Sequence, residues 1–136
     1  MLRIPRTSDT PFVRTDFSSE PIWREIVDAV GRESPDGFRA YISIINDAGF
    51  SGANAEELAR LAASDAAHRL LLLADSTTMN HDERPILCID VLSAEDTIRV
   101  VPSALWSIEN NLSLANMDFE DFAEAADRDG IFRGFA

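Results

Sequence analysis

Five short stretches of β-forming residues are distributed along the chain, and together they predict the strands of one sheet. Residues 11–17 are rich in β-forming residues, and residues 38–45 alternate in the manner of a strand covered mainly on one face. Residues 70–74 are apolar without a break and predict a strand covered on both faces, with a leucine-rich helix as the alternative. Residues 86–91 and 97–101 follow, and the last three stretches predict an antiparallel meander.

Four stretches with apolar residues at spacings of three and four predict helices. The first begins at Ser19 or Glu20 and ends at Gly31. The second begins at Asn54, whose side chain is placed to form a capping box with Glu57. The apolar stripe of the first helix consists of Ile22, Trp23, Ile26, Val27 and Val30.

The other two helices lie in the last third of the chain. One has Pro102 in its first turn, and the other begins at Asp118, with Gly130 as its stop signal. Residues 131–135 include three large apolar side chains, so we expect this tail to pack against the core. The polar residues 76–84 predict a loop between two strands.

These elements predict an α/β fold, with α+β as the alternative. In it, a mixed sheet of about five strands carries four helices packed mainly on one face, in two layers. The length of 136 residues suits one domain, and no repeat, linker or low-complexity tract divides it. We therefore predict a single domain over residues 1–136.

The charge balance narrows the choice of partners. The chain has 24 acidic residues against 12 basic ones and a formal net charge of −12. All the basic residues are arginines, which excludes a lysine Schiff base and the lysine of a phosphate-binding loop. Negative charge also disfavours nucleic acid, whose phosphates need neutralising, and it favours encounter with a basic protein.

The amino-terminal residues, the length of the apolar stretches and the single cysteine bear on the cellular compartment of the protein. The amino-terminal residues lack the apolar region of a secretory leader, and no stretch approaches the roughly 20 apolar residues of a membrane span. Cys88 lies in an apolar run, which predicts a buried side chain rather than a reactive thiol. We expect a cytoplasmic protein without membrane association.

Few side chains are arranged for known catalytic chemistry, and no metal or cofactor is predicted. The sequence has no glycine-rich phosphate loop, nucleophile elbow or paired cysteines. His81 is favoured as a loop residue because consecutive side chains rarely converge on one ion, and His68 is favoured as a helix-end charge. Asp16, Asp75 and Asp90 follow or end predicted strands. They would meet at a ligand-binding edge if those strands were parallel neighbours, and capping is the alternative.

Polar amides alternate with apolar residues at the junction between the last two helices. The simpler interpretation is that they satisfy free backbone groups of this helix–loop–helix junction. The functional interpretation is a polar pocket beside Trp106, joined by side chains of the first strand, for a small polar ligand or a partner's loop. The candidate binding residues are Arg14, Asp16, Trp106, Glu109, Asn110, Asn111 and Asn116.

Residues 12–17, 34–40, 100–122 and 130–135 resemble a family of uncharacterised bacterial domains, and the resemblance covers nearly the whole chain. That family carries no assigned activity, substrate or catalytic residue. The resemblance implies a stand-alone bacterial cytoplasmic domain and no mechanism.

Two functional hypotheses follow. The first is a non-enzymatic acidic protein that binds a basic protein partner, by analogy with inhibitor or immunity proteins. It predicts association that weakens with salt. The alternative is a small-molecule-binding protein or enzyme with a polar pocket around Trp106, Arg14 and the asparagines, which requires these residues to meet in one cavity.

Overall fold

A computed structural model describes residues 2–65, 67–93 and 96–135, and within them six strands form one mixed sheet. The strands are β1 (Thr10–Arg14), β2 (Ile42–Ile45), β3 (Leu70–Ala74), β4 (Ile86–Asp90), β5 (Thr97–Val100) and β6 (Ile131–Phe132). Their spatial order is β2-β1-β3-β4-β5-β6. β1 is parallel to β2 and β3, β3 to β5 form the expected antiparallel meander, and β6 is parallel to β5. The prediction of a mixed sheet of about five strands is confirmed.

Five helices accompany the sheet in the described ranges, and four of them have seven or more residues. The helices are α1 (Glu20–Val30), α2 (Ala55–Asp65), α3 (Ser76–Asn80), α4 (Leu105–Ser113) and α5 (Phe119–Ala125). Ser19 caps α1 as predicted, accepting the Ile22 N–H at 3.3 Å. Asp118 and Asp121 form the capping box that starts α5.

The two faces of the sheet carry separate apolar clusters. The larger cluster includes Leu72 of β3 and lies under α1, α4 and α5, where Ile26 is fully buried. The smaller cluster includes Leu73 and lies under α2, where Leu58 is fully buried. Successive residues of β3 enter different clusters because side chains alternate along a strand. The unbroken leucine run is therefore covered on both faces, and the helices lie mainly on one face, as predicted.

Pro11 occupies a central strand, where a missing N–H normally breaks the ladder. The pairing of β1 with β3 begins one residue later, with Phe12 opposite Leu72. The ring nitrogen of Pro11 therefore falls just before the β3 ladder, which explains how the strand tolerates a proline.

Two predicted strands are longer than the real ones. Residues 38–45 were expected to form one strand, but β2 begins only at Ile42. The preceding backbone is bound by side chains of α4 instead. Glu109 accepts the Tyr41 N–H at 2.7 Å, and Asn110 donates to the Arg39 carbonyl at 2.9 Å. The first strand likewise ends at Arg14 rather than at residue 17.

Two helix boundaries also differ from the prediction. The polar residues 76–84 were expected to form a loop, but they begin with α3, which Asp75 and Thr78 start with a capping box. The last helix ends at Ala125 instead of near Gly130. Gly130 closes a separate turn, donating to the Asp127 carbonyl at 2.9 Å with φ at +82°. The tail packs on the core as predicted, since both residues of β6 are buried.

None of the helices in the described ranges is long and apolar enough to cross a bilayer.

Candidate functional site

Glu109 is the most deeply buried carboxylate of the predicted binding residues, with 3% of its surface exposed. It projects from α4 to the edge of the sheet where β1 and β2 begin. One oxygen accepts the Tyr41 N–H at 2.7 Å and the Asn110 amide at 3.1 Å. The other accepts the hydroxyls of Ser113 at 2.6 Å and Thr10 at 3.1 Å. Four hydrogen bonds therefore satisfy the carboxylate and tie α4 to β1 and to the segment before β2.

The asparagines of the same junction differ in what they bind. Asn110 donates to the Arg39 carbonyl and to Glu109, and Asn111 donates to the Ser107 carbonyl at 2.8 Å, one turn back along α4. The backbone N–H of Asn116 donates to the Asn111 carbonyl at 2.8 Å, and the Asn116 side chain is exposed. Two of the three amides thus donate to backbone carbonyls, but these belong to Arg39, in the segment before β2, and to Ser107, inside α4, rather than to free groups of the helix–loop–helix junction.

Trp106 of α4 is partly buried against the larger apolar cluster and is covered by a neighbour from the segment before β2. Its ring stacks on that of Phe38, with centroids 5.0 Å apart and 14° between planes. Phe38 belongs to the segment that precedes β2. The tryptophan therefore contacts an aromatic side chain of the chain itself rather than facing the Glu109 cluster.

Arg14 lies at the other end of β1, with only 1% of its surface exposed. Its guanidinium pairs with Glu20 at 2.7 Å and donates to the Asp16 carbonyl at 3.1 Å. The rings of Phe17 and Trp23 lie 4.3 Å and 4.9 Å from the guanidinium carbon. These cation–π contacts stabilise a buried charge whose Nη2 has no hydrogen-bond partner among the described residues.

The predicted pocket is therefore not one cavity. Glu109 and Asn110 line a cleft of about 250 Å³ with Tyr41 and His68, at the edge where β1 begins. Arg14 and Asp16 lie beyond the carboxyl end of the same strand. The length of β1 therefore separates the two groups of predicted residues, and the sequence did not reveal this separation.

A second cleft opens at the carboxyl ends of β1 and β3. The sequence predicted that aspartates could meet at such an edge if their strands were parallel neighbours. Because β1 and β3 are parallel neighbours, Asp16 and Asp75 line the same space. The cleft has a volume of about 310 Å³ and is also lined by Thr15, Gly52 and Ser76. The connection through α1 crosses one face of the sheet and the connection through α2 crosses the other. The cleft thus lies at the topological switch point, where α/β sheets bind ligands.

Asp75 is held firmly in this cleft. Arg99 donates to its two oxygens at 2.9 Å and 2.7 Å, and the Thr78 N–H donates at 3.1 Å. Burial opposes ionisation, but the hydrogen bonds and charge of Arg99 and the Thr78 N–H outweigh it, so the pKa of Asp75 is lowered. Asp90 lies elsewhere, since it pairs with Leu70 at the start of β3 and with the Arg69 side chain.

Cys88, His81 and His68, which were considered as possible reactive or metal-binding side chains, have partners or burial typical of structural residues. Burial raises the pKa of the Cys88 thiol, which keeps it protonated and unreactive. The His81 ring accepts the Glu83 N–H at 3.0 Å, and His68 contacts Thr7 at 2.9 Å. Within the described ranges, no group of three or more His, Cys, Asp or Glu side chains is placed to hold a metal.

An acidic face, which sequence reasoning did not single out, is formed by exposed carboxylates of α5 and the residue before β5, where Asp96 and Glu120 line one cleft and Glu124 lies one turn beyond Glu120. It consists of Asp96, Asp118, Glu120, Asp121 and Glu124, all exposed. The ion pairs seen in the described part of the chain use other carboxylates, namely Glu20, Glu25, Asp75, Glu83, Asp90, Asp127 and Asp129. A cluster of Asp and Glu in one short amphipathic helix was the signal available in the sequence.

Comparison with known proteins gives a family and no activity. A family model described as "Domain of unknown function (DUF6924)" matches residues 9–135. No curated protein matches the chain.

Proposed function

We propose that this chain, which belongs to the family described as Domain of unknown function (DUF6924), is a non-enzymatic acidic protein that binds a basic protein partner. The proposal includes a cytoplasmic location. The family match brings no substrate or catalytic residue, so support must come from the surface of the molecule itself.

The acidic face on α5 is the observation that carries this proposal. Five carboxylates share it, whereas the arginines Arg14, Arg69, Arg84, Arg99 and Arg133 are engaged with other acids of the chain. None of the ion pairs among the described residues uses the five carboxylates of the acidic face, so their negative potential is available to an incoming molecule. A surface of one sign accelerates encounter with a partner of the other sign and selects against wrong partners.

A pull-down with charge-reversed variants tests the proposal. The variant Glu120→Lys/Glu124→Lys reverses part of the acidic face, and Glu56→Lys/Glu57→Lys on α2 changes the net charge equally. We expect the wild type to capture basic proteins at about 50 mM salt and to lose most of them at about 500 mM. The α5 variant should lose them at low salt, whereas the α2 variant should retain them.

Captured partners that are acidic or neutral, or a yield that ignores salt, would contradict the proposal. Equal loss in both variants would show that only net charge matters, and would contradict a role for the acidic face.

A small polar ligand in the switch-point cleft is the second candidate, because the carboxyl ends of β1 and β3 converge there. The Asp16 carboxylate and the hydroxyls of Thr15 and Ser76 suit a ligand with amine or hydroxyl groups.

A thermal-shift screen of small amines and amino sugars tests whether such a ligand binds this cleft. A compound at about 100 times its Kd stabilises by about 2.7 kcal/mol. Ala53→Leu, which narrows the cleft, should abolish the shift, and a shift that survives in that variant would place binding elsewhere.

A further inference from the structure

The sheet has two edges, and among the described residues only the β6 edge is protected. At the β6 edge the strand has two residues and is followed by Arg133, which donates to Glu83, Asp127 and Asp129. Short strands and charged neighbours are the usual means of preventing further pairing. β2 forms the other edge with the sequence Ile-Ser-Ile-Ile, which has no charge and no proline.

The hydrogen-bonding pattern shows which backbone groups β2 presents to the outside. The Tyr41 carbonyl accepts the Thr10 N–H at 3.2 Å, so it faces β1. The N–H and C=O groups of successive residues point to opposite sides of a strand. Those of Ser43 and Ile45 therefore face β1, and those of Ile42 and Ile44 face the open side. These groups have the geometry needed to pair with another strand.

Exposed apolar side chains concentrate at the same edge. Phe38, Tyr41 and Ile44 are 49%, 52% and 44% exposed, and they lie within seven residues. Trp106 supports Phe38 from behind by stacking on it. An exposed apolar patch beside open backbone groups is characteristic of a surface that receives an extended peptide.

We propose that β2 is the docking edge for an extended, basic segment of a partner, which adds a strand to the sheet beside Ile42 and Ile44. The inference rests on the proposed function for the charge of the occupant. Two copies of this chain would each bring a formal charge of −12 to the contact, which disfavours self-pairing. Asp9, whose N–H contacts Ser43, and Asp47, which follows β2, flank the edge with carboxylates that suit basic side chains.

The variant Ile44→Pro isolates the edge. It removes the outward-facing N–H together with the partly exposed Ile44 side chain, but none of the bonds to β1, so the fold should tolerate it. Ile44→Val keeps the N–H and the branched side chain and is the matched control. The probe is a peptide of about eight residues that alternates arginine and valine, and its counterpart has glutamate in place of arginine.

Fluorescence anisotropy should show that the arginine peptide binds the wild type and Ile44→Val within about threefold of each other. Ile44→Pro should bind it about tenfold or more weakly, the effect of one lost backbone hydrogen bond and its neighbours. The glutamate peptide should not bind. Amide exchange in the wild type provides a readout that needs no variant, because the Ile42 and Ile44 amides should exchange more slowly with the arginine peptide bound.

Failure of the arginine peptide to bind, or binding that leaves Ile42 and Ile44 exchange and Ile44→Pro affinity unchanged, would overturn the edge proposal. A dimer of the wild type that Ile44→Pro dissociates would assign the edge to a second copy. The salt and α5 variants of the pull-down decide the proposed function separately, so the two proposals can fail independently.

Discussion

At the scale of single residues, Glu109 shows how a polar cluster can be architectural. A buried carboxylate is costly unless hydrogen bonds satisfy it. Glu109 accepts one backbone N–H, one amide and two hydroxyls, which come from α4, β1 and the segment before β2. Its geometry favours a structural role for the junction between α4 and the sheet over a site that waits for a ligand.

Truncation of Glu109 tests this role. Glu109→Ala leaves the Tyr41 N–H and the Thr10 hydroxyl without an acceptor, so we expect the free energy of unfolding to fall by about 2–4 kcal/mol. Glu109→Gln keeps one acceptor oxygen, and the two hydroxyls can rotate to accept from its amide, so it should cost only about 1 kcal/mol. Urea denaturation measures both. Equal losses in the two variants, or a loss under about 0.5 kcal/mol for alanine, would contradict the structural role.

The sequence indicated the polar residues of this junction but not the residues that form hydrogen bonds with them. Asn110 and Asn111 were expected to satisfy free backbone groups of the junction, but they donate to the carbonyls of Arg39 and Ser107 instead. Thr10 and Tyr41 could not be linked to Glu109 because they are separated from it by 99 and 68 positions. Only the packing of α4 across the start of β1 brings them together, and single-sequence spacing carries no information on that.

At the scale of secondary structure elements, local signals predicted both ends of α1 and the start of α5, but they missed α3 and placed the end of α5 too late. Ser19 and Asp118 cap α1 and α5 through contacts within three residues, which a sequence pattern can record. α3 was missed because its polar residues lack an apolar period, although Asp75 and Thr78 supply a capping box. β2 is shorter than predicted because α4 binds the backbone before it.

Asp75 joins two elements, since it caps α3 and pairs with Arg99 on β5. Asp75→Asn retains the cap but loses the ion pair, and we expect a cost of about 2 kcal/mol at pH 7. The folded-state pKa of Asp75 lies below its unfolded value, so the stabilisation is complete above about pH 4 and is lost as the pH falls through the lowered pKa. Urea denaturation of both proteins between about pH 2 and 7 measures this. A stability difference that stays constant across that range would contradict the assignment.

At the scale of the whole molecule, the meander could be predicted and the parallel half of the sheet could not. β3, β4 and β5 are consecutive, so their pairing follows from short connections. β1 instead lies between β2 and β3, and its two parallel partners are reached through α1 and α2. That arrangement creates the switch-point cleft and exposes β2 as an edge. The switch-point cleft and the β2 edge, which are both proposed as binding surfaces, therefore depend on long-range contacts that no local sequence pattern encodes.

One sheet separates two apolar clusters, so the prediction of a single domain can be tested by weakening each cluster in turn. Ile26→Ala affects the cluster under α1, and Leu58→Ala affects the cluster under α2. Each fully buried side chain should cost about 2–5 kcal/mol when truncated, and the double variant should equal the sum within about 0.5 kcal/mol because the sheet keeps the sites apart. Leu92→Ala, at a leucine that is 74% exposed, is the matched control and should change stability by less than about 0.5 kcal/mol. Every variant should unfold in one transition when followed by tryptophan fluorescence and by far-ultraviolet circular dichroism, because β1 and β3 contribute side chains to both clusters. Separate transitions in Leu58→Ala would show that α2 unfolds independently and would contradict a single cooperative domain.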